Sequence, residues 1–133
     1  MHSMTKLLVA GACGALMLVA RPAPSEAGYT WQTASCSANS DGSGSCAGTF
    51  LGFRNSSGAS DYAQFQSNTT PGFVPQIFYA VYAGRLYSCV PDANIQAIWP
   101  MVMAARGYFS VSWDASGTCH NLWLNNGSYT QNF

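Results

Sequence analysis

Charge is what this sequence has least of. Of its 133 residues, five are Lys or Arg and five are Asp or Glu. Beyond residue 27 there is neither lysine nor glutamate: Arg54, Arg85 and Arg106 stand against Asp41, Asp61, Asp92 and Asp114, a formal charge of −1. Binding nucleic acid takes clustered cations that displace counterions from phosphates, and three dispersed arginines cannot form such a stripe. The same shortage excludes electrostatic docking on anionic lipid. Long apolar runs are missing too. The longest, Leu7–Ala20, covers 14 residues, short of the roughly 20 a spanning helix needs, so no stable membrane insertion is expected.

That run has another use. Lys6 precedes it and "RPAPSEA" follows, with Ser25 and Ala27 as the small residues at positions −3 and −1 of a cleavage site. Residues 1–27 therefore read as a secretory signal peptide, removed to leave 28–133. Cys13 lies only seven residues after Lys6, too little apolar chain for the lipidation reading. The expected location is secreted or extracellular, or periplasmic or cell-surface in a bacterium. The remaining 106 residues suit a single domain, one that buries about two-thirds of its unfolded surface.

Four cysteines remain in that domain: Cys36, Cys46, Cys89 and Cys119. An even set in an exported chain argues for two disulfides. Four cysteines allow three pairings; the flexible "SANSDGSGS" between Cys36 and Cys46 favours joining those two, which leaves Cys89 with Cys119. Zinc ligation is disfavoured because no Cys-x-x-Cys pair occurs. Nothing else in the sequence asks for a metal or a cofactor.

Short runs rich in Val, Ile, Tyr, Phe, Trp and Thr alternate with joints of Gly, Pro, Asn and Ser, the pattern of strands and turns. Strands are expected at 28–36, 46–54, 61–67, 76–84 and 85–90. "DANIQAIWPMVMAARG" (Asp92–Gly107) holds the only helix formers, but Pro100 sits in its middle. It reads as an edge strand bulged at the proline, with one helical turn before Pro100 as the alternative. The fold class is all-β: a small antiparallel sandwich or barrel stapled by two disulfides.

"YFSVSWDASGTCHNLWL" (Tyr108–Leu124) reads as a hairpin. With Asp114–Gly117 as a four-residue loop, Trp113 faces Thr118, Val111 meets His120 and Phe109 meets Leu122 on one face. Tyr108 then lies opposite Trp123, Ser110 opposite Asn121 and Ser112 opposite Cys119 on the other. The first face is core; the second sets an aromatic pair among small polar groups. A loop one residue different would exchange the faces.

Catalytic motifs are scarce. His120 is the only histidine beyond residue 27, and its apolar neighbours make it a core-edge residue rather than a general base. No Gly-x-Ser-x-Gly elbow occurs. No spacing pairs two carboxylates for glycoside hydrolysis, and "NSDGSGS" lacks the alternate ligands of a calcium loop. The residues argue against an enzyme; a small hydrolase using His120 and Asp114 is the third choice. "NSS" at Asn55, "NTT" at Asn68 and "NGS" at Asn126 match the glycosylation acceptor pattern, and are read first as turn residues.

Aromatics are abundant: four Trp, seven Tyr and seven Phe, all beyond residue 27. Most must fill the core. Gln76–Tyr82, however, carries Ile77, Tyr79 and Val81 on one face and Phe78 and Tyr82 on the other. It reads as a central strand covered on both sides, with an exposed aromatic surface as the alternative. On the second view Tyr79, Tyr82, Tyr108 and Trp123, with Asn121, form a ligand-binding surface, where rings cover a ligand's apolar side and amides and hydroxyls orient it. The expected function is a secreted, non-enzymatic binding module for an extracellular glycan or a protein surface. The alternative is a structural or self-associating cell-surface or matrix protein, since near-zero charge removes repulsion and strand edges offer pairing sites.

Overall fold

A computed structural model describes residues 32–127. The segment expected to be a signal peptide (1–27), Cys13 within it, and the start of the first expected strand lie outside them. The elements are β1 (Ala34–Ala38), β2 (Gly44–Thr49), α1 (Phe50–Arg54), β3 (Tyr62–Ser67), β4 (Gln76–Tyr82), β5 (Arg85–Pro91), α2 (Ala93–Ala97), α3 (Trp99–Ala104), β6 (Tyr108–Trp113) and β7 (Thr118–Asn125). The protein is mostly β, a seven-stranded sheet in the order β1-β2-β6-β7-β5-β4-β3 that does not close. Every pairing is antiparallel except one short parallel contact, Val90 with Thr118 and Pro91 with Cys119, which joins β5 to β7.

Both disulfides pair as the spacing suggests. Cys36 and Cys46 face each other across β1 and β2, and Cys89 bonds Cys119 beside the parallel contact. The second bridge spans 30 residues, worth about 4 kcal/mol on the loop-entropy model. With all four thiols consumed, zinc ligation by them is excluded.

Alternation explains the core. Phe65, Phe78, Ala80, Tyr87, Cys89, Phe109, Val111 and Trp113 occupy every second position of their strands and are buried. Phe109 is the hub. Its ring lies 5.3 Å from Phe50 and Phe65 and 5.6 Å from Phe53 and Phe78, so it joins β6 to α1, β3 and β4. The sheet therefore curls its two halves around one aromatic cluster. Gly44 lets the Trp113 ring lie against β2, because a Cβ there would come within 2.6 Å of Cζ2. The Trp113 indole N–H then donates to the Gly42 carbonyl at 3.1 Å. Between β4 and β5, Ala83 and Gly84 both take positive φ, 50° and 74°, as a two-residue turn matched to strand twist requires.

Three expectations need correction. The strand expected over 46–54 ends at Thr49. There the Thr49 hydroxyl accepts the Gly52 N–H at 2.9 Å, capping α1, and Phe50 and Phe53 fall one turn apart toward the core.

Asp92–Gly107 is no bulged strand. Asp92 caps α2 by accepting the Ile95 N–H at 2.9 Å, and Pro100 opens α3 within its first turn, where a missing N–H breaks no helical bond. The single turn before the proline matches α2; α3 was not expected.

The third correction concerns the last hairpin. A bulge after Ser112 pairs Trp113 with Cys119, and from there outward Ser112 meets Asn121, Val111 meets Leu122, Ser110 meets Trp123, Phe109 meets Leu124 and Tyr108 meets Asn125. His120 is the extra residue. It is exposed, whereas Cys119 is buried in the core, the reverse of the faces expected for that pair. A bulge adds one residue to one strand and so flips parity on one side of itself.

Candidate functional site

The bulge and the strand order build a surface that local pairing alone does not reveal. On the face of β1, β2, β6 and β7 turned away from the core, register aligns Ser37, Ser45, Ser112 and Asn121 in one row. The next row is Ser35, Ala47, Ser110 and Trp123. Strands lie about 4.8 Å apart and same-face residues about 6.8 Å apart along a strand, so the rows cover a platform about 14 Å long. It carries no charge. Its groups are hydroxyls, one amide and one large ring.

Trp123 is 56% exposed. Tyr108, one residue pair further along, meets it edge-on with ring centroids 5.5 Å apart and planes at 65°. A diagonal neighbour on the same face lies within reach of large rings, so the pairing holds the indole upright.

Of the five residues singled out from sequence, the structure brings three together: Tyr108, Asn121 and Trp123. The other two lie elsewhere. Tyr79 is on the outer face of β4, between Gln64 of β3 and Ser88 of β5. Tyr82 sits on the core side at the end of β4, 5.9 Å from Phe53. There it lines a hollow of about 290 Å³ with Gln32, Asn55, Ser56 and Ser57. The Asn55 amide donates to the Gln32 side-chain oxygen at 3.0 Å across that hollow, a polar site without any signal in the sequence.

Around Tyr79 the outer face is of another kind. Register aligns Tyr62, Val81 and Leu86 in one row and Gln64, Tyr79 and Ser88 in the next. Tyr62 is 43% and Leu86 64% exposed, while Tyr79 and Val81 are half-buried by their neighbours and Ile77 is buried. β4 is thus interior to the sheet, yet its outer side is only partly covered.

At the end of β6, the Asp114 carboxylate accepts the Ser116 hydroxyl at 2.6 Å, the Ser116 N–H at 2.9 Å and the Thr118 N–H at 3.0 Å. These bonds, the Ser116 hydroxyl first, hold its pKa below the usual carboxylate range; the charge of His120 adds least. Asp41 is lowered likewise by Ser43 in the β1–β2 turn. Both carboxylates organise their own turns, and among the described residues Asp114 and His120 share no hydrogen bond. No group of three or more His, Cys, Asp or Glu residues gathers for a metal among the described residues.

The acceptor-pattern asparagines lie at ends of elements, Asn55 and Asn126 exposed and Asn68 half-buried. Asn55 closes α1 and Asn68 starts the β3–β4 loop; Asn126 follows β7 and accepts the Arg106 and Gly107 N–H groups.

Comparison with protein-family models, curated proteins and solved structures finds no match to this chain. The two disulfides are consistent with an extracellular or otherwise oxidising environment. No described helix is long and apolar enough to cross a membrane.

Proposed function

We propose that the chain is an exported, non-catalytic binding module that takes an extracellular glycan on the outer face of β1, β2, β6 and β7. The observation that carries this reading is Trp123, a ring more than half exposed, braced by Tyr108 and flanked by uncharged hydroxyl and amide groups. A sugar ring offers C–H faces that stack on an indole and hydroxyls that exchange bonds with Ser and Asn side chains. A protein partner would be met mainly through buried apolar anchors with a polar rim, and this face has one adjoining pair of rings, Trp123 and Tyr108, among many hydroxyls. The lack of charge agrees with a neutral polysaccharide rather than an acidic one.

The test is a polysaccharide binding panel read by tryptophan fluorescence on the oxidised protein. Saturable binding of one neutral polymer is expected, and Trp123→Ala should weaken it by about 2 kcal/mol, the scale of a binding anchor, or roughly thirtyfold. No binding across the panel, or binding that Trp123→Ala leaves unchanged, would refute the proposal.

A further inference from the structure

We infer that β3 is a self-association edge, pairing antiparallel with β3 of a second copy of this chain to make a two-fold dimer. β3 ends the sheet, and among the described residues no backbone hydrogen bond joins Tyr62–Ser67 to anything but β4. Soluble proteins guard such edges with lysine, proline or inward charge. β3 reads "YAQFQS" and has none of these. Like charges directly opposite each other are what normally prevent a strand from meeting its own copy. Here the outward positions are Tyr62, Gln64 and half-buried Gln66, all uncharged, and the two Gln amides both donate and accept and lie within 3.4 Å of each other. A row of such amides complements itself across a two-fold axis, as an isologous interface requires.

Beside this edge lies an open groove of about 260 Å³, lined by Phe50, Ala63, Phe65, Val102, Met103 and Arg106 among others. Apolar residues dominate it, and Met103 and Met101 of α3 are 41% and 64% exposed. A second β3 laid alongside brings the two α3 segments together beneath the seam, which covers these methionines and closes the groove. The opposite edge, β1, has only Ser, Ala and half-buried Cys36, with no large apolar side chain among its described residues to bury. The residues beyond 27 carry a formal charge of only −1, so two copies meet with little long-range repulsion. This inference is independent of glycan binding, which uses the other half of the sheet.

Sedimentation analysis of the purified, oxidised chain over a wide concentration range is the test, with hydrogen exchange at Tyr62–Ser67 as a second readout. The expected result is a reversible monomer–dimer equilibrium in which those amides gain protection as dimer forms. Gln64→Lys, exposed and away from the core, should raise the dissociation constant at least about tenfold with an unchanged melting curve. Leu86→Lys on the outer face should leave dimerisation as it is. A chain that stays monomeric at the highest concentration overturns the inference. So does a dimer that Gln64→Lys leaves intact, or one that Leu86→Lys dissolves.

Discussion

The two halves of the sheet present opposite outer faces from one scaffold. Across β1, β2, β6 and β7 the outward positions are Ser, Ala and Asn with Trp123 at the end of a row and Tyr108 against it; across β3, β4 and β5 they include Tyr62, Tyr79, Val81 and Leu86 with Gln and Ser between. Neither carries a compensating charge. Sheet faces that meet water normally mix charged and polar side chains, so each half departs from the ordinary in its own direction. The first offers many hydrogen bonds and one anchor, which suits a hydroxylated ligand. The second ends in the unguarded β3 edge beside the exposed methionines of α3, which suits another copy of the chain. Among the described residues the halves meet at the β5–β7 contact, where Tyr87 of β5 also meets Trp113 of β6 at 6.3 Å, and through the aromatic cluster around Phe109.

The contrast can be broken at those two connections. Phe109→Ala removes the ring that touches α1, β3 and β4, and should cost about 4 kcal/mol, read as a loss of cooperative unfolding or a collapse in melting temperature. Replacing Cys89 and Cys119 together by serine should cost about 3 to 4 kcal/mol on the same scan, because the bridge clamps the short parallel contact between the halves. Removing the Cys36–Cys46 bridge, which closes a loop of 10 residues, should cost about 1 kcal/mol less. Comparable losses for the two bridges would mean that the junction between halves contributes no more than an ordinary hairpin.

A gentler change sharpens the contrast at the hairpin turns. Asp41 and Asp114 have folded-state pKa values lowered below 3.8 by their turn hydrogen bonds. Such groups stabilise the fold above the unfolded pKa, and that contribution fades as pH falls through the lowered value. A slight loss of stability below about pH 3.8 is therefore expected, confined to the half that holds both turns, and Asp114→Asn should reduce it. Exchange rates at Ser116 and Thr118 that do not change with acidification would contradict this.

Much of the fold was legible because strand alternation and turn residues are local signals. β3, β4 and β5 fall within a residue or two of the expected spans, and both disulfides follow from spacing. What escaped was non-local or depended on position within an element. Pro100 breaks a helix in the middle but is welcome in its first turn, and only the cap at Asp92 reveals which applies. Thr49, with Phe50 and Phe53 one turn apart, was a legible start signal for α1 that the aromatic content masked as strand. The bulge at His120 left no composition signal, so Cys119 was assigned to the wrong face. At the site, Tyr108, Asn121 and Trp123 were legible as one face of a hairpin. The serine rows that complete the platform depend on β2 pairing with β6, a contact between segments some sixty residues apart in the chain that no local pattern encodes.

The two faces are compared most directly by titrating Trp123→Ala and Tyr79→Ala side by side with the neutral polysaccharide that binds the parent protein. Loss of binding in Trp123→Ala, with Tyr79→Ala close to the parent and both variants folded, is the result expected of a hydroxyl platform anchored by one indole. Binding lost in Tyr79→Ala and kept in Trp123→Ala would move the site to the apolar half and contradict the account.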